Sequence, residues 1–142
     1  MDQQIIYTLG KDGCNYEFVC DAVIFFDNFS QRDKVAVKVF PLNRQYDDYF
    51  DFKYILLSEY RQVKVTDMFL DYKNYYQSKG LPEALILQLK YVYPEFQIIS
   101  SSNKIRIVRN EWRSTAGTRV WERLVAVGRA NYLEDIDTYL LV

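Results

Sequence analysis

Basic side chains are concentrated in one stretch of this sequence, and most of them are arginines. Residues 100–130 hold seven basic and two acidic residues, a net charge of +5 in a chain whose overall net charge is −1. Arginine suits the recognition of phosphate and carboxylate groups because its planar guanidinium donates paired hydrogen bonds. The candidate anion-binding residues are Lys104, Arg106, Arg109, Arg113, Arg119, Arg123 and Arg129.

The sequence is compatible with two arrangements of these cations. If they gather on one exposed face, they form a surface for nucleic acid, DNA or RNA, or for an acidic protein surface. If the acidic residues of the two ends of the chain pair with them, they form an ordinary solvated face. The first 60 residues hold ten acidic and six basic residues, and residues 131–142 hold three acidic residues and no basic one.

Aromatic residues supply the second kind of candidate contact. Tyr72, Tyr75 and Tyr76 are spaced as on one face of a helix, where they either stack on bases or pack into the core. Trp112 and Trp121 flank a predicted turn and are expected to face each other across a hairpin. Each of these residues is a candidate for base stacking, for anchoring a protein partner, or for structural packing.

One short pattern is typical of a catalytic site. Asp51-Phe52-Lys53 has the D-x-K form found in magnesium-dependent PD-(D/E)xK nucleases, with Asp21 or Asp27 as an upstream carboxylate. In that chemistry carboxylates hold Mg²⁺ and the lysine positions or activates water. The helix that we predict for residues 51–61 does not fit the strand that such a site needs, so nuclease activity is the third hypothesis.

Other signs of enzyme chemistry are missing from the sequence. There is no histidine, which removes the commonest general base and metal ligand. Cys14 and Cys20 cannot complete a four-ligand zinc site alone, and we interpret them as buried free thiols. There is no glycine-rich phosphate loop and no nucleophile elbow. We therefore expect a non-enzymatic protein without catalytic residues, metal or cofactor.

Nothing in the sequence predicts a membrane protein. The first residues are acidic and polar rather than typical of a signal peptide. No apolar run approaches the ~20 residues that a spanning helix needs. We expect a cytoplasmic protein, in the interior of the host cell if its origin is viral.

The elements that must position these residues are strands at both ends and helices between them. Residues 1–46 predict an antiparallel β-meander, with a hairpin at Asp12-Gly13 and a strand of alternating valines at 35, 37 and 39. Helical spacing predicts helices over 51–61, over 66–79 with Thr66 as N-cap, and over 82–92 between Pro82 and Pro94.

The last third predicts strands again. A strand begins at residue 96, a turn at Ser102-Asn103 leads to the alternating segment 104–107, and a second turn at 114–118 leads to a partner strand over 119–127. The acidic tail over 131–142 ends in apolar residues, so we expect it to dock on the rest of the molecule.

Residues 63–110 resemble a winged-helix module. The segment from Val65 to Tyr76, the break at Gly80 and the Ser102-Asn103-Lys104 turn are similar to the C-terminal DNA-binding module of phage and large-DNA-virus primase-helicases. The resemblance implies a viral origin and nucleic-acid binding through a helix and a basic wing that carries Lys104 and Arg106. The helix over 82–92 is apolar nearly all round, so we expect arginine-rich hairpins to contact backbone phosphates instead.

The sequence as a whole predicts a single α+β domain over residues 1–142. It has the N-terminal β-meander over 1–46, two to three helices in a winged-helix-like part over 47–113, and a C-terminal antiparallel hairpin sheet completed by 114–142. The leading hypothesis is a small nucleic-acid-binding protein that contacts phosphates through its arginines. The alternative is a protein–protein interaction module or homodimer with Tyr, Trp and Arg anchors.

Overall fold

Eight β-strands in the described part of the chain form one mixed sheet, and two α-helices accompany it. The computed structural model describes residues 4–42, 49–69, 76, 78–104 and 112–142. The strands are β1 Gln4–Leu9, β2 Asn15–Asp27, β3 Arg32–Pro41, β4 Phe50–Leu57, β5 Gln62–Phe69, β6 Gln97–Ser100, β7 Ala130–Leu133 and β8 Thr138–Leu141; the helices are α1 Leu81–Val92 and α2 Thr115–Ala126.

The sheet order combines an antiparallel run with one parallel pair. Strands β1 to β5 lie side by side in chain order, each antiparallel to the next. Helix α1 then connects β5 to its parallel neighbour β6, as a parallel pair requires a crossover. Helix α2 follows β6, and β8 lies between β6 and β7.

Turn chemistry and alternating residues explain the first strands. Gly13 has a φ of +81°, and the Asp12 side chain accepts a hydrogen bond from the Cys14 amide in the hairpin turn between β1 and β2. In β3, the buried residues Val35, Val37 and Val39 alternate with more exposed ones. This turn and this strand lie where the sequence predicts them.

Strand β5 contains a β-bulge at Thr66. Val65 lies opposite Tyr54 and Asp67 lies opposite Lys53, so Thr66 is an extra residue in the β5 side of the ladder. The Thr66 hydroxyl lies 3.3 Å from the Lys53 carbonyl oxygen and 2.9 Å from Asp67 Oδ2. Bulges bend a strand and re-aim its side chains.

One continuous apolar core joins the sheet to both helices. From α1 it receives Leu81, Leu85, Ile86 and Leu89, and from α2 it receives Val120, Trp121 and Leu124. The α1 helix spans the residues predicted to be helical and ends before Pro94. In the part of the chain that the structure describes, no helix has the length and apolar character to cross a membrane.

The predicted fold class is wrong, because the strands form one sheet rather than a meander and a separate hairpin sheet. Residues 51–61 are not an α-helix: they form most of β4 and the connection to β5, which contains one 3-10 turn over Ser58–Tyr60. Tyr54 and Ile55 are neighbours on opposite faces of β4, and both are buried. A strand buried on both faces gives an apolar run that periodicity does not distinguish from a buried helix.

The winged-helix-like arrangement is also wrong in the described residues. Thr66 is a bulge residue of β5 rather than an N-cap, because β5 runs through residues 62–69 where the helix over 66–79 was expected. Strand β6 does not begin a two-stranded wing: it pairs in parallel with β5 and, on its other side, with β8. Most of residues 70–77 and all of 105–111 lie outside the described residues.

The strand expected over 119–127 is instead part of α2. The Ser114 side chain accepts a hydrogen bond from the Gly117 amide and caps this helix, which the sequence analysis interpreted as a turn. Val120, Trp121 and Leu124 bury one face at helical spacing. The tail does dock, but as the hairpin of β7 and β8 that extends the sheet.

Candidate ligand-binding groove

The two parallel strands end at different points, and this leaves part of β5 beside a cavity. Strands β5 and β6 pair from Gln62 and Gln97 to Val65 and Ser100. Strand β5 then continues to Phe69, and over 66–69 the described residues pair it with β4 only. Ligands of sheets with parallel strands commonly bind outside the carboxyl ends of those strands.

The inner cavity, as we name it, lies along this edge of β5 and has a volume of about 180 Å³. It touches four consecutive residues, from Val65 to Met68. Successive side chains of a strand point to opposite faces, so a cavity that touches four residues in a row follows the backbone edge. Its other walls are Ser101, Trp112, Arg113, Ser114, Gly117 and Trp121.

A larger outer groove, of about 740 Å³, lies against the end of β1, the N-terminal half of α1 and one side of α2. Met68 and Gly117 line both the outer groove and the inner cavity, so the two adjoin there. A Cβ atom on Gly117 would lie 3.4 Å from Met68 Cε and 3.2 Å from Ser114 Oγ. Gly117 therefore packs closely against Met68 and Ser114 where the two spaces adjoin.

The outer groove is strongly positive. The described residues that line it include four cations, Lys11, Arg119, Arg123 and Arg129, and one acid, Glu83, a net charge of +3. Arg123 Nη2 lies 2.6 Å from Glu83 Oε1, which ties α2 to the first turn of α1. Cations that converge on a concave surface raise the local concentration of anions.

The N-terminus of α1 adds a further site for negative charge. Gly80 is its N-cap residue, with a φ of +72°, and no side chain caps the helix. The first-turn amides of Leu81 and Glu83 are donors without a partner inside the helix, and the helix dipole favours an anion beside them. A Cβ atom on Gly80 would lie 2.3 Å from the Leu9 carbonyl oxygen, so only glycine fits here.

A buried hydroxyl also lines the outer groove. Thr8 in β1 is 5% exposed, and its Oγ1 has no hydrogen-bond partner among the described residues. Buried polar atoms in proteins nearly always have a partner, from the protein or from ordered water. Thr8 is therefore a polar group at the wall of the groove whose hydrogen bond the described residues do not supply.

The side chain of Arg113 is buried in the protein rather than exposed on its surface. Its side chain is 7% exposed, and it donates to Asp137 Oδ1 at 2.7 Å, to two backbone carbonyls and to Thr118 Oγ1. It also lies over the ring of Tyr139, 4.9 Å from the ring centre. Arg113 joins the start of α2 to β8 and shapes one wall of the inner cavity.

The same contacts affect the pKa of the Asp137 carboxyl. Burial by itself raises its pKa, but hydrogen bonds from Arg113 and Tyr132 outweigh burial and hold the pKa of Asp137 below its ordinary value. The same bond raises the pKa of Tyr132, because its hydroxyl donates to a carboxylate. Asp137 is therefore ionised at neutral pH and holds Arg113 in place.

The structure brings together some of the residues predicted from the sequence. Arg119, Arg123 and Arg129 share the outer groove, whereas Lys104 is exposed after the end of β6 and is not among the groove's lining residues. Arg106 and Arg109 lie outside the described residues.

The aromatic candidates divide between core and surface. Tyr76 and Trp121 are each 1% exposed, and Trp121 stacks on Tyr139 with ring centres 6.0 Å apart. Trp112 is 53% exposed and lines the inner cavity. The predicted pairing of Trp112 and Trp121 across a hairpin is wrong, because Trp121 belongs to α2. Tyr72 and Tyr75 lie outside the described residues.

The D-x-K pattern lies on a strand, contrary to the predicted helix. Asp51 and Lys53 belong to β4, and Lys53 Nζ lies 3.3 Å from Asp51 Oδ2. Lys38 lies between Asp21 and Asp51 in the row across β2, β3 and β4. The described residues contain no group of three carboxylate or thiol side chains placed to hold a metal ion.

Cys20 is buried, as the sequence predicts, and desolvation raises its pKa to about 12. Cys14 is exposed, contrary to the prediction. Both are free thiols.

Thr8, Lys11 and Gly80 are site residues that the sequence does not predict. Gly80 was recognised only as a break between helices, and Thr8 and Lys11 are far from it in sequence. The Lys11 amide donates to the Ser78 carbonyl oxygen at 2.9 Å, a contact between distant segments that no local pattern indicates.

Comparison of this chain with models of known protein families, with curated proteins and with solved structures gives no match.

Proposed function

We propose that the protein binds an acyl-coenzyme A in the outer groove and inner cavity and transfers its acyl group to an acceptor. The observation that carries this proposal is that the two spaces adjoin: a cationic groove at a helix N-terminus lies next to a cavity along a strand edge. A ligand that suits both has phosphates at one end and a slender, amide-bearing arm at the other. Coenzyme A is a common group carrier of that form.

The phosphate end suits the outer groove. Four cations, the uncapped amides of α1 and the Thr8 hydroxyl offer donors to phosphate and ribose oxygens. The volume of about 740 Å³ is that of a site for a nucleotide-sized ligand.

The arm of coenzyme A suits the edge of β5. Its two amide groups are in an extended chain, which can hydrogen-bond to the backbone of a strand as an added strand does. Over 66–69 the described residues leave one edge of β5 without a neighbouring strand. The arm would pass from the outer groove to the inner cavity beside Met68 and Gly117, which line both spaces.

The acyl end would then lie in the inner cavity. Its walls include the hydroxyl side chains of Thr66, Ser101 and Ser114. Trp112 is half exposed at this cavity, so an acceptor can approach the acyl group from solvent beside it. This assignment replaces the expectation, drawn from the sequence, of a protein without cofactor or activity.

Calorimetric titration with acetyl-coenzyme A tests the proposal. We expect saturable 1:1 binding, weakened at least about 100-fold by the double variant Arg119→Glu/Arg129→Glu, since each charge-assisted hydrogen bond contributes roughly 1.5–3 kcal/mol. Arg61→Glu is the matched control, because Arg61 is exposed and is not among the groove's lining residues. Absence of binding at millimolar ligand, or equal affinity in the groove variant, overturns the proposal.

Gly117 gives a second arm to this experiment. Gly117→Val adds a side chain where the two spaces adjoin, beside Met68, and removes none of the four cations of the outer groove. We expect it to weaken binding of acetyl-coenzyme A while sparing adenosine 3′,5′-bisphosphate, which has no arm. Release of free coenzyme A thiol in the presence of amine acceptors measures the transfer step.

Nucleic-acid binding is the second candidate function. Arg119, Arg123 and Arg129 share one surface, which favours contact with a phosphate backbone. Its signature is retention of single- or double-stranded oligonucleotides that falls steeply with salt concentration. Competition between an oligonucleotide and acetyl-coenzyme A decides whether the two ligands share the groove. Binding of an acidic protein surface stays a prediction.

A further inference from the structure

The β2–β3 hairpin extends past the strand that covers its outer edge. Strand β1 pairs with β2 only over Asn15–Cys20. Over 21–27, the described residues pair β2 with β3 alone. Since β1 is at the end of the sheet, residues 22–27 of β2 are, as far as the described residues go, a free edge of backbone donors and acceptors.

This free edge has the composition of a buried strand. Val23, Ile24, Phe25 and Phe26 are 54%, 56%, 40% and 56% exposed, on both faces of the hairpin. There is no charged residue and no proline from Ala22 to Phe26. Exposed edge strands of monomers normally carry lysine, proline or a bulge that prevents pairing. We therefore expect this edge of β2 to be covered by another polypeptide segment.

We propose that a second copy of this chain covers it, through antiparallel pairing of β2 with β2 about a twofold axis. Antiparallel pairing of two identical segments is self-complementary, which is what a closed dimer requires. With the axis at Phe25, so that this residue lies opposite its own copy, Asp27 of one copy lies opposite Val23 of the other, and Asp21 lies opposite Phe29. In this register, no two acidic residues lie opposite each other. The sheets of the two copies form one continuous sheet.

The exposed area is enough for such a dimer. Phe29, at the tip of the hairpin, is 75% exposed and adds to the four residues of the edge. A large apolar side chain that is about half exposed offers roughly 100 Å². The five residues offer about 500 Å² per copy and about 1,000 Å² in all, the lower limit for a specific interface. Backbone hydrogen bonds along the edge add to this.

The hairpin is rigid before association. The Gln31 amide donates to the Asp27 carbonyl at 2.8 Å, and the Ser30 amide donates to Asp27 Oδ2 at 3.1 Å. Arg32, next to the turn, forms an ion pair with Glu59. Pairing of a preformed edge costs little conformational entropy.

Sedimentation equilibrium of the full chain tests the dimer. We expect a monomer–dimer equilibrium whose dissociation constant rises at least about tenfold in the double variant Ile24→Lys/Phe26→Lys. Tyr91→Lys/Val127→Lys is the matched control: both residues are exposed apolar side chains away from this hairpin. A monomeric native chain at about 100 μM, or a dimer that the hairpin variant leaves unchanged, overturns the proposal.

Cysteine cross-linking separates edge pairing from contact through the faces. In a Cys14→Ser background, single cysteines replace Val23, Ile24, Phe25 and Phe26 in turn. We expect rapid disulfide dimers only in Phe25→Cys, because this residue lies opposite its own copy and paired Cα atoms lie about 4.5–5.5 Å apart. Phe29→Cys is the control, since residues at the two hairpin tips lie far from the axis. Cross-linking at Phe29 alone, or at no position, contradicts edge pairing; acetyl-coenzyme A binding is measured separately and does not depend on it.

Discussion

At the scale of single residues, two buried polar side chains differ in their hydrogen bonding: Arg113 stabilises the fold, whereas Thr8 belongs to the candidate site. Arg113 has partners for its guanidinium in Asp137, Thr118 and backbone carbonyls. Thr8 Oγ1 has none among the described residues. A satisfied buried group stabilises the fold, whereas an unsatisfied one costs free energy unless a ligand supplies the bond.

Asp137→Ala tests the first role. It leaves the guanidinium of Arg113 buried without its anion, so we expect the free energy of unfolding to fall by about 3 kcal/mol. Glu95→Ala, which removes an exposed ion pair with Arg61, is the control and is expected to change it by less than about 0.5 kcal/mol. Urea denaturation measures both, and equal effects would contradict the role of Arg113.

The same pair sets a pH dependence. The folded-state pKa of Asp137 lies below its ordinary value of 3.8, so its contribution to stability is complete above that pH. As the pH falls through the lower folded-state pKa, the carboxylate is protonated and the contribution is lost. We expect the difference in unfolding free energy between the native chain and Asp137→Ala to shrink over this acidic range and to be constant from pH 5 to pH 7.

Thr8→Val tests the second role. The valine keeps the shape and removes the unpaired hydroxyl, so we expect the free energy of unfolding to rise by up to about 1 kcal/mol and the affinity for acetyl-coenzyme A to fall. Thr138→Val is the matched control, since the Thr138 hydroxyl donates to the Ile136 carbonyl and its loss should destabilise the protein. A loss of stability in Thr8→Val would show that the hydroxyl is already paired within the protein.

At the scale of elements, the start of α1 depends on a glycine that two separate constraints require. Gly80 has a positive φ, and a Cβ atom there would clash with the Leu9 carbonyl. Gly128 also has a positive φ, +76°, but a Cβ atom there meets nothing within 4 Å. Comparison of the two positions separates backbone strain from the close approach of β1 to α1.

We expect Gly128→Ala to lower the free energy of unfolding by about 1 kcal/mol, the cost of a non-glycine residue in the left-handed region. Gly80→Ala should cost clearly more and should also weaken acetyl-coenzyme A binding, since it displaces α1 from β1. Thermal denaturation and titration of both variants measure this, and equal effects of the two substitutions would contradict the close approach.

Local sequence patterns predicted some helices and strands correctly and others wrongly, and each wrong prediction has a physical reason. Pro82 and Pro94 bound α1 because proline suits a first helical turn and disfavours helix before it. Strand β4 was mistaken for a helix because both of its faces are buried. Helix α2 was mistaken for a strand because Gly117 suggested a turn, although Ser114 and the spacing of Val120, Trp121 and Leu124 were signals of a capped helix.

At the scale of the whole molecule, the groove arises from contacts between segments that are distant in sequence. Lys11 follows β1, Arg119 and Arg129 belong to α2 and the residues after it, and the sheet brings them to one place. The charge analysis identified the arginines, but only the fold shows that Arg113 is buried and that Lys11 joins the others. The parallel pairing of β5 with β6, which exposes the end of β5, has no local signature at all.

The central claim is that the arm of an acyl-coenzyme A lies along β5, and amide hydrogen exchange measures this directly. With saturating acetyl-coenzyme A, we predict slower exchange at amides within 66–69 of β5 and at the first turn of α1, with little change in β2 and β3. Protection confined to α1, with β5 unchanged, would show that only a phosphate group binds, and it would contradict the account.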